Sequence, residues 1–222
     1  MAMDFKTAPR AWAEIDVSAL LQNYRTLKAR CQKKVMCVIK GNAHGHGAVR
    51  CGLALEKAGA DAFAVACLPE AIDLREGGIT KPILVLGWTP PEMAPTMVQY
   101  NLTQSVIEEA YAQQLEEAAA STGGTLSVHI KLDTGMSRTG FFAQENHQQA
   151  AEAICRVQAL PHLQITGIFT HFAVADVPEK DDFTAWQLSN YNAVLAELDK
   201  LGFDQPIVRQ HHSLHAAPCI PE

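Results

Sequence analysis

VMCVIKGNAHGHG, from Val35 to Gly47, joins an apolar strand pattern to a glycine-spaced turn, and the architecture can be read from that junction. Apolar, partly β-branched residues from Val35 to Ile39 have the composition of a short buried strand. The run ends on Lys40 and gives way at once to small residues, with glycines at 41, 45 and 47 and histidines at 44 and 46. A lysine at the end of an apolar wall costs free energy unless it is paired, neutral or covalently used. The strand pattern therefore leaves open which of these accounts for Lys40.

Six more runs of the same kind lie further along the chain. They are AFAVAC (62–67), PILVLG (82–87), LTQSV (102–106), LSVHIKLD (126–133), ITGIFTHF (165–172) and PIVRQHH (206–212). Between them lie stretches with helical spacing, among them PEAIDLREGG (69–78), EEAYAQQLEEAAASTGG (108–124) and FTAWQLSNYNAVLAELDKLG (183–202). Each of these three ends in glycine, which suits a helix C-terminus. Strands alternating with helices imply parallel βα units, and eight such units close a (β/α)8 barrel of the TIM type. Seven strands are predicted here. A doubly wound open sheet is the alternative, but it usually carries a phosphate-binding G-x-G-x-x-G turn after its first strand, and GNAHGHG is not that motif.

Composition bounds the setting. The 222 residues suffice for one α/β core and are read as a single domain, residues 1–222. With 48% hydrophobic residues and a net charge of −6, the chain reads as an ordinary globular protein. Nucleic-acid binding would call for clustered basic charge, and none is present. The amino terminus lacks a signal-peptide pattern, and no apolar run approaches the roughly 20 residues of a transmembrane helix. The six cysteines include no C-x-x-C pair, and several sit within apolar patterns. Buried thiols in a reducing, cytoplasmic compartment are the expectation, with no membrane partner.

In a parallel barrel the chemistry sits where strands end and βα loops begin. Those positions hold Lys40, His44 and His46 after the first strand, and Lys131, Asp133 and Arg138 in KLDTGMSRTGF after the fifth. His171 comes after the sixth, and His211, His212 and His215 after the seventh. A strand-end histidine by itself is more often structural than catalytic, and a lone arginine usually pairs or caps a loop; convergence on one rim is what makes this set a candidate site. Two chemistries fit. His44, His46, Lys131, His171 and His211 could hold a divalent ion for hydrolysis, although the first two lie four and six residues beyond Lys40 and no aspartate completes the set. Alternatively, Lys40 is a Schiff-base lysine whose amine attacks an aldehyde cofactor, with no metal in the site.

AWAEIDVSALLQNYRTLK, VIKGNAHGHG, AGADAFAVACLPEAIDLREGGITKPILVLG, HIKLDTGMSRTGF and GIFTHFAVAD resemble, in order and spacing, the amino-terminal barrel domain of the alanine racemases. The resemblance spans nearly the whole chain. It implies a fold-type III pyridoxal 5'-phosphate enzyme that interconverts L- and D-alanine, or a close small amino acid such as serine, with Lys40 forming the internal aldimine. Arg138 matches the arginine that contacts the cofactor's phenolic oxygen. Lys131 matches a lysine often carbamylated in the family, which would turn like-charge repulsion from Arg138 into an ion pair. His171 matches a histidine that helps to arrange the site. Asp133, Gly135 and Gly140 are expected to shape the loop, while Gly45 and Gly47 let the backbone turn before the next helix.

Three positions depart from the family pattern. The first motif normally reads K-A-N-A-Y-G-H-G, with the tyrosine hydroxyl on the cofactor phosphate; His44 stands there. After the seventh strand the family reads roughly H-x-A-N-S-A-A, and here Leu214 takes the asparagine place and His215 that of the phosphate-binding serine. Imidazolium groups can still attract a phosphate dianion, and the cofactor-binding set is read as Lys40, His44, Arg138, His171, Leu214 and His215. In the family the chain continues through an eighth strand into a β domain that supplies a second catalytic base across a dimer. The 222 residues are thus expected to be a fragment with little activity alone, its open seam favouring a homo-oligomer. A non-catalytic domain that binds pyridoxal phosphate, like the single-domain homeostasis proteins of similar length, is the other reading.

Overall fold

The computed structural model describes residues 11–203 and the backbone of the strand at 208–212. Asp16 starts the first helix, α1 (Val17–Cys31), its Oδ1 accepting from the Ser18 and Ala19 nitrogens at 2.8 and 3.0 Å. This is an N-cap, satisfying amides that the helix itself leaves unpaired. Strand β1 (Met36–Val38) comes next, then α2 (Lys40–His44), a single turn considered with the site below. The alternation continues through α3 (Ala48–Lys57), β2 (Ala62–Val65), α4 (Leu68–Glu76), β3 (Ile83–Val85), α5 (Ala94–Gln99) and β4 (Thr103–Val106). It runs on through α6 (Glu109–Ala120), β5 (Leu126–Asp133), β6 (Phe141–Phe142), α7 (His147–Gln158), β7 (Leu163–His171), α8 (Asp181–Lys200) and β8 (Val208–His212).

All pairings are parallel, and the strands lie in the order β1-β2-β3-β4-β5-β7-β8. Neighbours in sequence are neighbours in space, with no reversal of order. That is barrel order and not the doubly wound alternative, which needs a switch point. Among the described residues no pairing closes β1 onto β8.

One expectation is corrected. The structure has an eighth short strand, β6, which pairs with the end of β5 through Leu132–Phe141 and Asp133–Phe142. Two residues are too short to show any periodicity, so Phe141 and Phe142 carry no strand signal in the sequence. The eighth strand expected to close the barrel is a different element, and β6 does not fill that place.

Strand alternation gives two apolar layers. Leu126, Val128, Ile130 and Leu132 of β5 belong to the large cluster that buries helix side chains such as Leu74, Leu115, Ile154 and Val194. A smaller cluster of Ala64, Leu84 and Phe169, with Met36, Val38 and Leu86 against it, fills the other face of the sheet. A bulge between Val128 and His129 shifts the β5–β7 register, so that His129 stands opposite Gly167. A Cβ at Gly167 would lie 2.7 Å from the His129 ring, so glycine makes the room that the imidazole occupies. No helix among the described residues is long and apolar enough to cross a membrane.

Candidate active site

Lys40 lies one residue past Ile39, which ends the run from β1, and is exposed, while Ile39 itself is only 5% exposed. The strand leading to it is half-buried, so Lys40 does not stand in an apolar wall as the sequence suggested. The reason is its place in the sheet: among the described residues β1 has a neighbouring strand on one side only.

The backbone just after Lys40 is unusual. Gly41, Asn42, Ala43 and His44 take φ of 61, 53, 54 and 55°, winding a full turn in the left-handed sense. Glycine visits this region freely, but the three residues with side chains each incur roughly 1–2 kcal/mol. Hydrogen bonds hold the turn. The Ala43 nitrogen donates to Ile39 O at 2.9 Å and the Gly45 nitrogen to Gly41 O at 3.0 Å. The Asn42 side chain accepts from the Ala48 nitrogen at 2.8 Å, tying the turn to the start of α3. His46 Nδ1 lies 2.6 Å from Ala43 O. From outside, Glu70 of α4 accepts from the Gly41 nitrogen at 2.7 Å and, with its other oxygen, from the Ala66 nitrogen at 2.8 Å.

Across the rim, the loop after β5 is organised by one carboxylate. Asp133, 7% exposed, accepts from the nitrogens of Gly135, Ser137 and Arg138 at 3.2, 2.8 and 2.7 Å. This sets the loop that presents Arg138, whose residue is exposed. A Cβ at Gly140 would sit 2.8 Å from both Lys131 O and the Asp133 nitrogen, so only glycine lets the loop return against β5. Beneath it Lys131, also 7% exposed, donates to the Thr139 hydroxyl. Burial above all, and the nearby Arg138 charge, pull the Lys131 ammonium below the usual lysine range, against an opposing pull from Asp133. Thr139 carries no signal of this role in the sequence.

The third strand end is fastened from α8. Gln187, fully buried, donates to His171 O at 3.2 Å and accepts from the Ala173 nitrogen at 2.9 Å. Its Nε2 also lies 3.5 Å from Thr134 Oγ1, and Asn190 donates to Thr134 O at 3.1 Å. One helix thereby spans the loop carrying Arg138 and the strand end carrying His171. Sequence reasoning misses this glutamine and asparagine, although both fall on the apolar stripe of α8 with Val194 and Leu198, where a polar residue signals a buried hydrogen-bonding role.

Lys40, His44, Lys131, Arg138 and His171 therefore stand at or beside the carboxyl ends of β1, β5 and β7, all on one end of the sheet. Leu214 and His215, and the side chains of His211 and His212, lie outside the described residues. No three His, Cys, Asp or Glu side chains among the described residues gather as metal ligands would.

The profile of the alanine racemase N-terminal domain matches residues 15–217. The chain belongs to the alanine racemase family. An alanine racemase of Clostridium tetani is 37% identical over 217 residues, covering 97% of this chain and 54% of that protein. The alanine racemase structure from Clostridium difficile 630 superposes with a TM-score of 0.85 at 37% identity, covering 92% of this chain and 53% of that one. A histidine racemase from Leuconostoc mesenteroides superposes with a TM-score of 0.79 at 32% identity, over 88% of this chain and 50% of that one. The chain thus spans about half the length of the alanine racemase relatives it matches, and its fold is the α/β barrel of their amino-terminal domain.

Proposed function

We propose that this chain is the cofactor-holding barrel of a pyridoxal 5'-phosphate-dependent racemase acting on alanine or a close small amino acid such as serine. The observation that carries this reading is an exposed primary amine, Lys40, directly before a hydrogen-bonded left-handed turn, with Arg138 and His171 on the same rim. The residues suit the group: an amine for its aldehyde, and cationic or protonatable side chains, Arg138 and His44, for its anionic oxygens. When bound, the cofactor supplies an electron sink for the carbanion left when Cα loses its proton.

Within that reading Lys40 is the attachment point, and its Nζ takes or returns the Cα proton on one face. Arg138 would donate to the cofactor's phenolic oxygen. The lowered ammonium pKa of Lys131 favours the neutral amine that carbon dioxide needs to form a carbamate, and the resulting anion would attract Arg138. His44, with Leu214 and His215, would meet the phosphate. The proposed setting is cytoplasmic, supported by five free thiols among the described residues.

The test is chemical trapping. Incubation with pyridoxal phosphate followed by borohydride should leave a reduced adduct on the peptide containing Lys40, and none in Lys40→Ala. Unselective labelling of surface lysines, or no label, would refute the assignment. An L-to-D exchange assay on the same chain, with alanine, serine and histidine, separates a racemase from a domain that merely binds the cofactor; turnover by the 222 residues alone is expected near background.

We also propose self-association. Among the described residues β1 and β8 each have a partner on one side only, and unpaired strand edges invite pairing with another chain. Light scattering coupled to size exclusion should give a mass above the 24.2 kDa of one chain. A cooperative, monodisperse monomer would show the seam to be closed internally.

A further inference from the structure

We propose that Glu70 is a positioning residue for Lys40, acting through the peptide that joins Lys40 to Gly41. This rests on reading Lys40 as the cofactor's lysine. Glu70 is the third residue of α4, a place where a carboxylate ordinarily bonds the first amides of its own helix. Here one oxygen accepts from Ala66, just before that helix, and the other is diverted to Gly41, 29 residues away in sequence.

The diverted bond is placed where it matters. Gly41 is the first residue of the left-handed turn, and its amide is attached to the Lys40 carbonyl carbon. Holding that N–H at 2.7 Å orients the Lys40–Gly41 peptide plane, and with it the direction in which the Lys40 side chain leaves the backbone. The hydrogen bonds described above for the rest of the turn are internal to residues 39–48, and the bond from the Ile39 nitrogen to Ala64 O at 2.9 Å ties the chain to β2 before Lys40 but not after it. Glu70 supplies the anchor on the far side of Lys40, joining Gly41 at the start of the turn to Ala66 at the end of β2.

The test compares Glu70→Ala, Glu70→Gln and Glu56→Ala in the full chain. Glu56 is a matched control: it too accepts from backbone amides, those of Thr80 and Lys81, but away from Lys40. Amide hydrogen exchange over residues 39–46 should rise at least about tenfold in Glu70→Ala, the effect of losing a hydrogen bond to a charged acceptor, and stay unchanged in Glu56→Ala. The rate of pyridoxal phosphate attachment at Lys40 and the visible circular dichroism of the bound cofactor should fall with it. Glu70→Gln, with one acceptor oxygen for two N–H groups, should lie between.

Unchanged exchange in Glu70→Ala, or equal losses in Glu56→Ala, would overturn the proposal. If the unaltered chain takes up no cofactor, the reading of Lys40 fails, and hydrogen exchange alone then decides whether Glu70 holds the turn.

Discussion

Arg75→Ala is expected to lower the melting temperature by roughly 10 °C, a loss of about 4 kcal/mol at about 2–4 °C per kcal/mol for a chain of this size. The guanidinium makes four hydrogen bonds, every one to a backbone carbonyl. Nε donates to Tyr100 O at 3.0 Å, one terminal nitrogen to Ile79 O and Lys81 O at 2.9 and 2.7 Å, and the other to Asn101 O at 2.9 Å. These carbonyls close the connections that lead into β3 and β4, at the end of the barrel opposite the site. Burial pulls the Arg75 pKa below the ordinary arginine value, with Glu56 opposing, yet a guanidinium keeps its charge at neutral pH. Removing it strands several partly buried acceptors at once, and each hydrogen bond to a charged group contributes about 1.5–3 kcal/mol. Arg75→Lys should recover only part of the loss, because an ammonium cannot span four acceptors in the fork that arginine presents. Thermal melts monitored by circular dichroism decide; a variant melting within about 2 °C of the parent would remove Arg75 from the stabilising set.

The second expectation concerns acid. His129 is 6% exposed, its Nδ1 has no hydrogen-bond partner, and burial pushes its pKa down from 6.5 to about 4. The native state holds the ring neutral, while the unfolded chain binds a proton near pH 6.5. Stability is therefore fully present above about pH 6.5 and is lost as the pH falls toward 4, where the folded form finally accepts the proton. At about 1.36 kcal/mol per unit, the full loss is on the order of 3 kcal/mol. Urea midpoints between about pH 7 and about pH 4 should fall steeply in the parent and less steeply in His129→Phe, which keeps a ring opposite Gly167 but cannot ionise. Because the carboxylates titrate alike in both, the difference isolates His129. Parallel pH profiles would show that another group sets the acid limit.

The sequence was most informative where local pattern and local chemistry coincide. Alternating β-branched runs and helical stretches predicted the parallel α/β order, because each run of a barrel is apolar whichever strands flank it. KLDTGMSRTGF announced a structured loop, and Asp133 does organise it, since the backbone amides it accepts from lie within five residues. Lys40 stands out because a lysine is out of keeping with the apolar run before it. Its exposure is not legible in that run, because the burial of a strand end depends on neighbours that a local pattern does not contain.

The alternation of the main strands and helices, and their order, could be read from the amino-acid order alone, whereas the two-residue β6 could not. How the candidate residues at the strand ends are held could not be read there either. The left-handed turn at Gly41–His44 opposes the intrinsic preference of three of its four residues, so propensity points away from it. Its outside anchor, Glu70, comes from another helix. Gln187 and Asn190 both reach Thr134, 53 and 56 residues distant, and His129 stays neutral because Gly167, on the adjacent strand, leaves room for a ring but burial leaves its charged form without solvation. Each depends on which groups packing brings within hydrogen-bond reach, a property of three-dimensional proximity that sequence separation does not encode.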